Sequence, residues 1–307
     1  MSSVNSAGLA TKWIGVTGAT GLVGQALTRA LSESGLETAA FSRDPKRLPA
    51  AQQKNARVWP PQPDDVALDG VVHLLGEPVA GRWTRAKKDA ILSSRVEGTR
   101  RLIDAIEGLS AARRPRVLVS ASAIGYYGDR GDEVLTESSS AGADFLADVC
   151  VQWEREAARA EALGVRVVML RIGLVMSREG GALAAMLPAF RLGLGGTMGS
   201  GAQWWPWIHI SDLVGLARFA IDHEAVRGPL NATAPDPLRQ RDFAKTLARV
   251  LGRPAFLPAP AFALRTALGA FSEELLASRR VIPDSAEKAG FSFRFTRLED
   301  CLRDAVG

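Results

Sequence analysis

Three glycines at a fixed spacing are the first residues with an evident chemical use. Gly18, Gly21 and Gly24 lie in the run TGATGLVG, which follows the apolar segment Trp13 to Thr17 and precedes a helical pattern. In a strand-turn-helix unit, such glycines allow a tight turn, the approach of a phosphate to the backbone, and close packing of helix on strand. The helix N-terminus adds amide donors and a partial positive charge. We therefore predict a pyrophosphate site, and the residues assigned to it are Gly18, Thr20, Gly21, Leu22, Val23 and Gly24. The alternative is a glycine-rich turn without a ligand.

The end of the next strand indicates which dinucleotide would bind. An NAD site usually has an acidic residue about 20 positions after the glycines, where it binds the ribose 2′-hydroxyl. This chain has Phe41, Ser42 and Arg43 at that place. A guanidinium and a hydroxyl suit a 2′-phosphate, so we predict NADP(H) in preference to NAD(H). Two alternatives remain open: Arg43 is an ordinary loop arginine, or Asp44 serves as the acidic partner.

Alternating apolar and helical segments indicate the fold that must position these residues. Such alternation is typical of an α/β protein with a doubly wound parallel sheet of the Rossmann type. The predicted strands are Trp13 to Thr17, Leu36 to Phe41, Arg57 to Trp59, Gly70 to Leu75, Arg116 to Ala121, Val165 to Arg171 and Leu230 to Ala232. The predicted helices between them are Leu22 to Ser34, Arg82 to Ile106, Asp144 to Leu163 and Ser211 to Asp222.

The pattern changes after Pro235, where several prolines divide the chain into short helical segments. These predict a smaller, mainly helical C-terminal lobe on the substrate side. Its predicted helices are Arg241 to Leu251, Ala263 to Phe271, Glu273 to Arg280 and Thr296 to Val306. We therefore expect a tail at 1–12, a dinucleotide-binding domain at 13–235 that includes part of the substrate lobe near 176–207, and the C-terminal lobe at 236–307.

The composition argues against several other classes of protein. The 307 residues carry a net charge of +5, but the 38 basic and 33 acidic residues are mostly interspersed, which does not favour nucleic-acid binding. Cys150 and Cys301 lack the spacing of a disulfide framework or a metal site. No apolar run approaches the roughly 20 residues of a membrane span. We expect a cytoplasmic protein with no membrane partner and no metal.

Several further motifs together resemble one family. They are the TGATGLVG turn, the segments 72–78 (VHLLGEP), 94–99 (SRVEGT) and 120–128 (SASAIGYYG), and the segments 207–212 (WIHISD) and 290–293 (GFSF). On these motifs the chain resembles the extended or atypical short-chain dehydrogenase/reductases, specifically the YfcH-like epimerase-family proteins, from Trp13 to Ala305.

The resemblance implies an active site that departs from the usual Asn, Ser, Tyr and Lys set. Ser122 falls at the serine position and Arg95 at the asparagine position, while Leu146 and Cys150 replace the tyrosine and the lysine. We expect Ser122 to donate a hydrogen bond to a carbonyl and Arg95 to stabilise negative charge. Cys150, Tyr126 or Glu77 would exchange the proton. An ordinary thiol has a pKa of ~8.5. Cys150 would suit proton exchange if a positive nicotinamide or Arg95 lowered the pKa of its thiol. The alternative is that Cys150 is a buried packing residue.

The remaining assigned residues lie near the carboxyl ends of the predicted strands or in a loop rich in glycine and tryptophan, 195–207. The further cofactor-side residues are Leu75, Gly76, Glu77, Arg95, Ser120, Ala121, Cys150 and Arg171. The substrate-side residues are Tyr127, Gln203 and Trp204. The alternatives for these regions are structural: the tyrosines cover the end of the sheet, the tryptophans pack the C-terminal lobe, His73 is a core histidine, and His209 and Asp212 cap a helix.

The function that these residues favour is an NADP(H)-binding oxidoreductase or epimerase-like enzyme that acts on a small molecule. Because the Tyr-x-x-x-Lys relay is absent, a non-catalytic NADP(H) redox sensor and a protein-interaction module are alternatives. The predicted helices Arg82 to Ile106 and Asp144 to Leu163 resemble those through which the superfamily often dimerises, so a homodimer is an additional expectation.

Overall fold

The computed structural model describes residues 12–60 and 68–307. The predicted tail at 1–12 lies outside the described residues, except for Lys12. The strands in chain order are β1 (Trp13–Thr17), β2 (Glu37–Ser42), β3 (Ala56–Val58), β4 (Gly70–His73), β5 (Val117–Ala123), β6 (Val134–Leu135), β7 (Arg166–Ile172), β8 (Leu174–Met176), β9 (Trp204–Trp205), β10 (Trp207–His209), β11 (Gly228–Ala232), β12 (Leu238–Arg239) and β13 (Arg280–Val281).

The helices are named in the same way. They are α1 (Leu22–Glu33), α2 (Ala50–Gln53), α3 (Arg85–Glu107), α4 (Phe145–Ala158), α5 (Gly181–Arg191), α6 (Ile210–Asp222), α7 (Gln240–Leu251), α8 (Ala261–Leu268), α9 (Phe271–Leu276), α10 (Asp284–Lys288) and α11 (Leu298–Val306).

The central sheet is the predicted parallel sheet. Within the described ranges its strand order is β11-β7-β5-β4-β1-β2-β3, and every neighbouring pair is parallel. The order changes direction between β1 and β4, and ligands of open α/β sheets bind beside the carboxyl ends of the strands at such a switch point. The Rossmann-type fold class is thus confirmed.

Local capping signals explain most helix ends. The Thr84 side chain caps α3 by accepting from the amide of Lys87, and the His209 ring caps α6 by accepting from the amide of Ser211. Asp212 is not a cap, contrary to the sequence expectation. Its carboxylate accepts the amides of Arg294 and Phe295, both at 2.9 Å, and so holds the C-terminal segment against α6.

Three predicted helices differ from the structure for identifiable reasons. The helix expected at Asp144 to Leu163 changes to a 3-10 helix after Ala158. The helix expected at Ala263 to Phe271 is interrupted at Gly269, which has a φ of +59°. The helix expected at Glu273 to Arg280 ends at Leu276, because the chain becomes extended and Arg280 pairs with β6. Helix α5 was not predicted at all, since its apolar sequence contains Pro188 and lacks a polar face.

Two buried clusters organise the interior. The first lies between the sheet and helices α1 and α6. The second joins side chains from 176–207 to side chains from 234–305, with Trp207 and Phe243 fully buried in it. The C-terminal lobe is thus built from two separate stretches of the chain, and both approach the carboxyl edge of the sheet.

His73 is a satisfied core residue, as one alternative proposed. Its ring is fully buried and hydrogen-bonds the hydroxyls of Thr17 at 2.8 Å and Thr99 at 3.1 Å. Burial lowers the pKa of His73 to about 3, so the ring is neutral at physiological pH.

A search of the described helices finds none that is both long and apolar enough to cross a membrane. Among the same residues, no group of three or more His, Cys, Asp or Glu side chains is placed to hold a metal ion.

Candidate active site

A cavity of about 680 Å³ opens at the carboxyl ends of β1 to β4. It combines polar groups with an apolar wall. The lining residues are Gly18, Thr20, Phe41, Ser42, Arg43, Asp44, Trp59 and Leu75. The structure therefore brings the glycine-rich turn and the Ser42–Arg43 pair, both chosen from the sequence, to one cavity.

The three glycines of the turn have different structural roles. Gly18 has a φ of +66°, and a side chain there would lie 2.6 Å from the carbonyl oxygen of Leu74. A side chain at Gly24 would collide with the carbonyl oxygen of Gly18. Gly21 has an ordinary φ of −77°, and a Cβ atom there would meet only the Gly18 oxygen, at 3.2 Å. The fold itself therefore requires Gly18 and Gly24, whereas Gly21 chiefly keeps the N-terminus of α1 accessible.

The end of β2, next to the glycine-rich turn, contributes the groups expected to recognise a phosphate. Arg43 is exposed and has no hydrogen bond or ion pair within the part of the chain that the structure describes. The Ser42 hydroxyl donates to the carbonyl oxygen of Asp44 at 2.9 Å, and the Asp44 carboxylate accepts the amide of Lys46. The Asp44 carboxylate is thus already engaged in capping a short 3-10 helix, whereas the Arg43 guanidinium is unengaged.

The apolar wall of this cavity contains Leu75, a predicted cofactor-side residue, and Trp59, which has no role assigned from the sequence. Trp59 is 8% exposed, and its ring stacks on His73 with a centroid separation of 5.9 Å. Phe41 and Leu75 complete the wall. The available signal was a tryptophan at the end of the strand beside β2, where a flat apolar surface would face the cavity.

Arg95, on α3, packs against the segment that follows β4. Its guanidinium contacts Gly76, where a Cβ atom would be 3.2 Å from the guanidinium carbon. One nitrogen donates to the Glu77 carbonyl oxygen at 2.9 Å, and the group lies over the Trp153 ring at 5.1 Å. Burial lowers the pKa of Arg95, although it remains a cation at neutral pH. The Glu77 carboxylate is paired with Lys87 at 2.7 Å.

Ser122 begins a buried hydrogen-bond network. Its hydroxyl donates to Glu154 at 2.6 Å, and Arg171 binds the same carboxylate through two nitrogens, each at 2.8 Å. All three residues are buried. Arg171, assigned to the cofactor from sequence, is therefore committed to an internal ion pair. Ser120 and Ala121 are also buried in β5, where the Ser120 hydroxyl donates to the carbonyl oxygen of Ala121 at 3.3 Å.

The two adjacent tyrosines extend this network. Tyr127 is fully buried, donates to Asn231 at 2.6 Å and accepts from Arg171 at 3.0 Å. Burial raises the pKa of Tyr127 to about 12. Its predicted position facing a substrate is therefore corrected: Tyr127 is a core residue. Tyr126 is half-buried, and the Arg171 guanidinium lies 3.4 Å above its ring centroid.

Cys150 does not have the lowered pKa expected from its neighbours. The thiol is 3% exposed and contacts the Ala123 carbonyl oxygen at 3.7 Å. Burial raises the pKa of Cys150 to about 12, and Glu154 adds to this effect, which outweighs the opposing influence of Arg95. The thiol is therefore protonated at neutral pH, which is the state of a packing cysteine.

This geometry predicts slow chemical labelling of both cysteines. Cys301 is also buried, and burial raises its pKa. We expect a disulfide reagent such as DTNB to modify neither thiol in the native protein at pH 8, and both after denaturation. The variant Cys301→Ser isolates Cys150, and rapid native labelling of that variant would contradict the assignment.

The same burial makes the Cys150 contribution to stability depend on pH. The pKa of the thiol is near 9.0 in the unfolded chain and is raised to about 12 in the folded one. The contribution of the thiol to the free energy of unfolding is therefore complete below pH 9.0 and declines as the pH rises from 9.0 to about 12.

Gln203 and Trp204 have mainly structural contacts. Gln203 is buried, and its side-chain amide donates to the carbonyl oxygens of Met198 and Leu275. The guanidinium groups of Arg239 and Arg280 lie 4.2 and 4.7 Å from the centroid of the Trp204 ring. Trp205 and Trp207 belong to the second buried cluster. The packing alternative therefore applies to this segment, and Gln203 is corrected from a substrate residue to a buried structural one.

A second cavity, of about 380 Å³, lies between α4 and the C-terminal lobe. No sequence motif predicts it. Its lining residues are Trp83, Lys88, Asp129, Asp144, Phe145, Leu146, Arg265, Ala270, Glu273, Glu274, Leu276, Ala277 and Arg279. The rings of Trp83 and Phe145 meet edge to face at 5.4 Å, and the Lys88 ammonium lies 4.9 Å from the Phe145 centroid.

The second cavity borders Leu146 and lies close to Cys150, the residues that the resemblance aligns with the usual tyrosine and lysine. Leu146 lines the cavity, and a Cβ atom on Gly125 would lie 3.2 Å from Leu146 and 3.9 Å from the Cys150 sulfur. Arg279, also in the lining, is buried and paired with Glu274 at 2.7 and 2.8 Å. The cavity therefore offers aromatic and charged groups next to Leu146 and Cys150.

Comparisons with known proteins agree with this architecture. The model of the NAD dependent epimerase/dehydratase family matches residues 14–232, and a domain of unknown function, DUF1731, matches residues 259–305. The chain is 38% identical to the chloroplastic SDR39U1 homolog of Arabidopsis thaliana over 297 residues, which is 94% of this chain and 85% of that protein. It is 37% identical to the epimerase family protein YfhF of Bacillus subtilis, covering 95% of this chain and 97% of that one.

A crystal structure of the human epimerase family protein SDR39U1 (isoform2) with NADPH superposes with a TM-score of 0.86. The two chains are 32% identical, and the match covers 95% of this chain and 98% of the human one. The glycine-rich turn, the parallel sheet and these matches lead to one conclusion: the chain belongs to the NAD dependent epimerase/dehydratase family.

Proposed function

We propose that the chain is an NADP(H)-binding oxidoreductase or epimerase-like enzyme that acts on a small molecule. The observation that carries the proposal is the unengaged Arg43 guanidinium, which shares a cavity with Ser42 and the glycine-rich turn. The human relative that superposes on this chain was crystallised with NADPH, which supports the same cofactor. When bound, the nicotinamide would supply or accept a hydride.

The residues of the larger cavity suit the parts of such a cofactor. The N-terminus of α1 leaves amides without partners in the helix, next to Gly21, where a pyrophosphate would be held. Trp59 and Leu75 offer an apolar surface to the adenine ring. Ser42 and Arg43 would bind the 2′-phosphate, because a planar guanidinium forms strong paired hydrogen bonds with phosphate oxygens.

Binding of a small-molecule substrate is assigned to the second cavity. It adjoins Leu146 and Cys150, so a molecule bound there would lie beside the residues that the resemblance aligns with the usual tyrosine and lysine. Arg95 remains a candidate to stabilise negative charge, since the described carboxylates form no ion pair with it at hydrogen-bond distance. The Ser122 proton is donated to Glu154, so Ser122 presents only lone pairs to another partner. Because Ser122 is also buried and is not among the residues that line either cavity, the proposal does not include its predicted hydrogen bond to a substrate carbonyl.

The cofactor assignment is tested with the variant Arg43→Ala. We expect its affinity for NADPH to fall by about tenfold or more, because a charge-assisted hydrogen bond to phosphate is lost, while its affinity for NADH changes little. Calorimetric titration with NADPH, NADP⁺, NADH and NAD⁺ measures both values.

Lys46→Ala is the matched control for Arg43→Ala. Lys46 lies three residues after Arg43, and its side chain does not line the cavity. Its replacement therefore removes one nearby positive charge and reports only the general electrostatic effect on binding. Equal affinity of the native protein for NADPH and NADH would refute the preference for NADP(H). Binding of no dinucleotide would refute the proposed function altogether.

One observation favours a redox sensor as the second candidate. The resemblance aligns Leu146 and Cys150 with the relay residues, and the raised pKa of Cys150 gives that thiol little capacity to exchange protons near neutral pH. A sensor would bind NADPH and NADP⁺ with different conformations and turn over no substrate. Limited proteolysis in each redox form, compared with NADPH consumption in a screen of aldehydes and ketones, distinguishes the two functions.

A further inference from the structure

Large apolar side chains are exposed at one end of the C-terminal lobe. Leu192 and Leu194 follow α5 and are 75% and 55% exposed, while Phe256 between α7 and α8 is 77% exposed. Leu257 and Phe262 add exposed fractions of 49% and 72%. We call these five residues the apolar tip. Single exposed apolar residues are ordinary, but a group of them usually marks an interaction surface.

The apolar tip is contiguous because its two chain segments pack together. A Cβ atom on Gly193 would lie 3.3 Å from Pro254. The amide of Ala259 donates to the Thr197 carbonyl oxygen at 2.8 Å, and the amide of Gly199 donates to the Ala259 carbonyl oxygen at 2.9 Å. Phe262 follows on α8, a mostly apolar helix in which none of the residues is buried. The exposed side chains therefore belong to one surface and are not scattered.

The sequence around the apolar tip contains cations and lacks acids. The stretches 180–211 and 243–272 contain no Asp or Glu. Arg241, Lys245, Arg249 and Arg253 recur every four residues, and the first three are exposed along one face of α7 that leads to the tip. Arg191 ends α5, immediately before Leu192, and is also exposed. Arg249 is paired with Glu299, and Arg265 shares its cavity with Glu273 and Glu274, whereas Arg191 and Arg253 form no ion pair with the described residues.

The combination of exposed apolar side chains and nearby cations distinguishes among the possible partners. A second copy of the chain that met the tip across a two-fold axis would bring Arg191 and Arg253 against like charges. A nucleic acid would satisfy the arginines but not five exposed aliphatic and phenyl groups. The boundary between lipid headgroups and acyl chains offers negative charge and an apolar medium together.

We propose that the apolar tip, with the basic face of α7, docks the protein onto the surface of an anionic lipid bilayer. In this arrangement Leu192, Phe256 and Phe262 enter the headgroup boundary, and Arg191 and Arg253 bind lipid phosphates. The contact is peripheral and reversible, and it differs from the initial expectation of no membrane partner. It does not depend on the proposed cofactor.

Vesicle sedimentation of the full chain tests the proposal. We expect binding to vesicles that contain phosphatidylglycerol, no binding to vesicles of phosphatidylcholine alone, and loss of binding as salt increases. The double variant Phe256→Ser/Phe262→Ser should weaken binding by about tenfold or more. Arg191→Gln/Arg253→Gln should weaken it by about fivefold per cation.

The controls are Val151→Ser and Arg155→Gln, which change one exposed apolar residue and one exposed cation on α4. Both should bind like the native chain. Absence of binding to phosphatidylglycerol vesicles would overturn the proposal, and so would an equal loss in the control variants. Concentration-dependent dimerisation that disappears in Phe256→Ser/Phe262→Ser would instead assign the tip to a second copy. Far-UV circular dichroism and thermal unfolding, measured on the same samples, show that each variant is folded.

Discussion

Replacement of Gly21 by aspartate should abolish dinucleotide binding while leaving the protein folded. The backbone at Gly21 has a φ of −77°, which any residue adopts, and a Cβ atom there meets a single neighbour at 3.2 Å. An aspartate would place a negative charge beside the amides at the N-terminus of α1, where we propose that the pyrophosphate binds. We expect NADPH affinity to fall by about 100-fold or more. Calorimetric titration measures the affinity, and thermal unfolding with circular dichroism reports the fold.

Gly108→Asp is the matched control for Gly21→Asp. Gly108 is exposed at the end of α3, has a comparable φ of −65°, and would place its Cβ no closer than 3.6 Å to another atom. This variant should bind NADPH normally. Unchanged NADPH affinity in Gly21→Asp would show that the cofactor does not use this turn.

Removal of the Glu154 carboxylate should cause a large decrease in the free energy of unfolding. In Glu154→Ala the Arg171 guanidinium, 2% exposed, loses the partner that binds it through two nitrogens. Removing one member of a buried ion pair leaves an uncompensated charge and typically costs about 3–5 kcal/mol. The Ser122 hydroxyl also loses its acceptor. Urea unfolding followed by tryptophan fluorescence measures the free energy of unfolding.

Glu156→Ala provides the comparison on the same helix. Glu156 pairs with Arg100 at 2.8 Å and Arg159 at 3.1 Å, but both arginine side chains are about 40% exposed. Such surface pairs contribute about 0–1 kcal/mol, so this variant should unfold nearly as the native chain does. A similar small effect for Glu154→Ala would mean that water or another group readily compensates Arg171.

The success of the sequence analysis follows from the local nature of the signals. Gly18 to Gly24 form a single strand-turn-helix unit, and the sheet order places Ser42 and Arg43 beside that unit without any distant contact. The pattern predicts the seven strands of the central sheet to within two residues at each end, because buried parallel strands are short apolar runs between polar turns. These features of the cofactor cavity were therefore predictable.

The second cavity and the buried network were not predictable because they depend on contacts between distant segments. Trp83 and Arg279 line the same cavity although they are far apart in the sequence. Arg171 was assigned to the cofactor because it ends a strand, but Glu154, from a helix packed on the sheet, takes up its hydrogen-bonding groups. The Cys150 pKa was predicted from charged neighbours alone, whereas burial decides it. A sequence pattern does not give the degree to which a particular side chain is buried.

The unequal constraints on the three glycines bear on how the family has diverged. Gly18 and Gly24 are required by the backbone geometry of the turn, so selection for folding alone would retain both in a descendant that no longer bound a dinucleotide. In such a lineage, selection would no longer retain glycine at position 21, and other small or polar residues would replace it. Among relatives of this chain, the residue at position 21 should therefore separate lineages that still use the cofactor from those that keep only its scaffold.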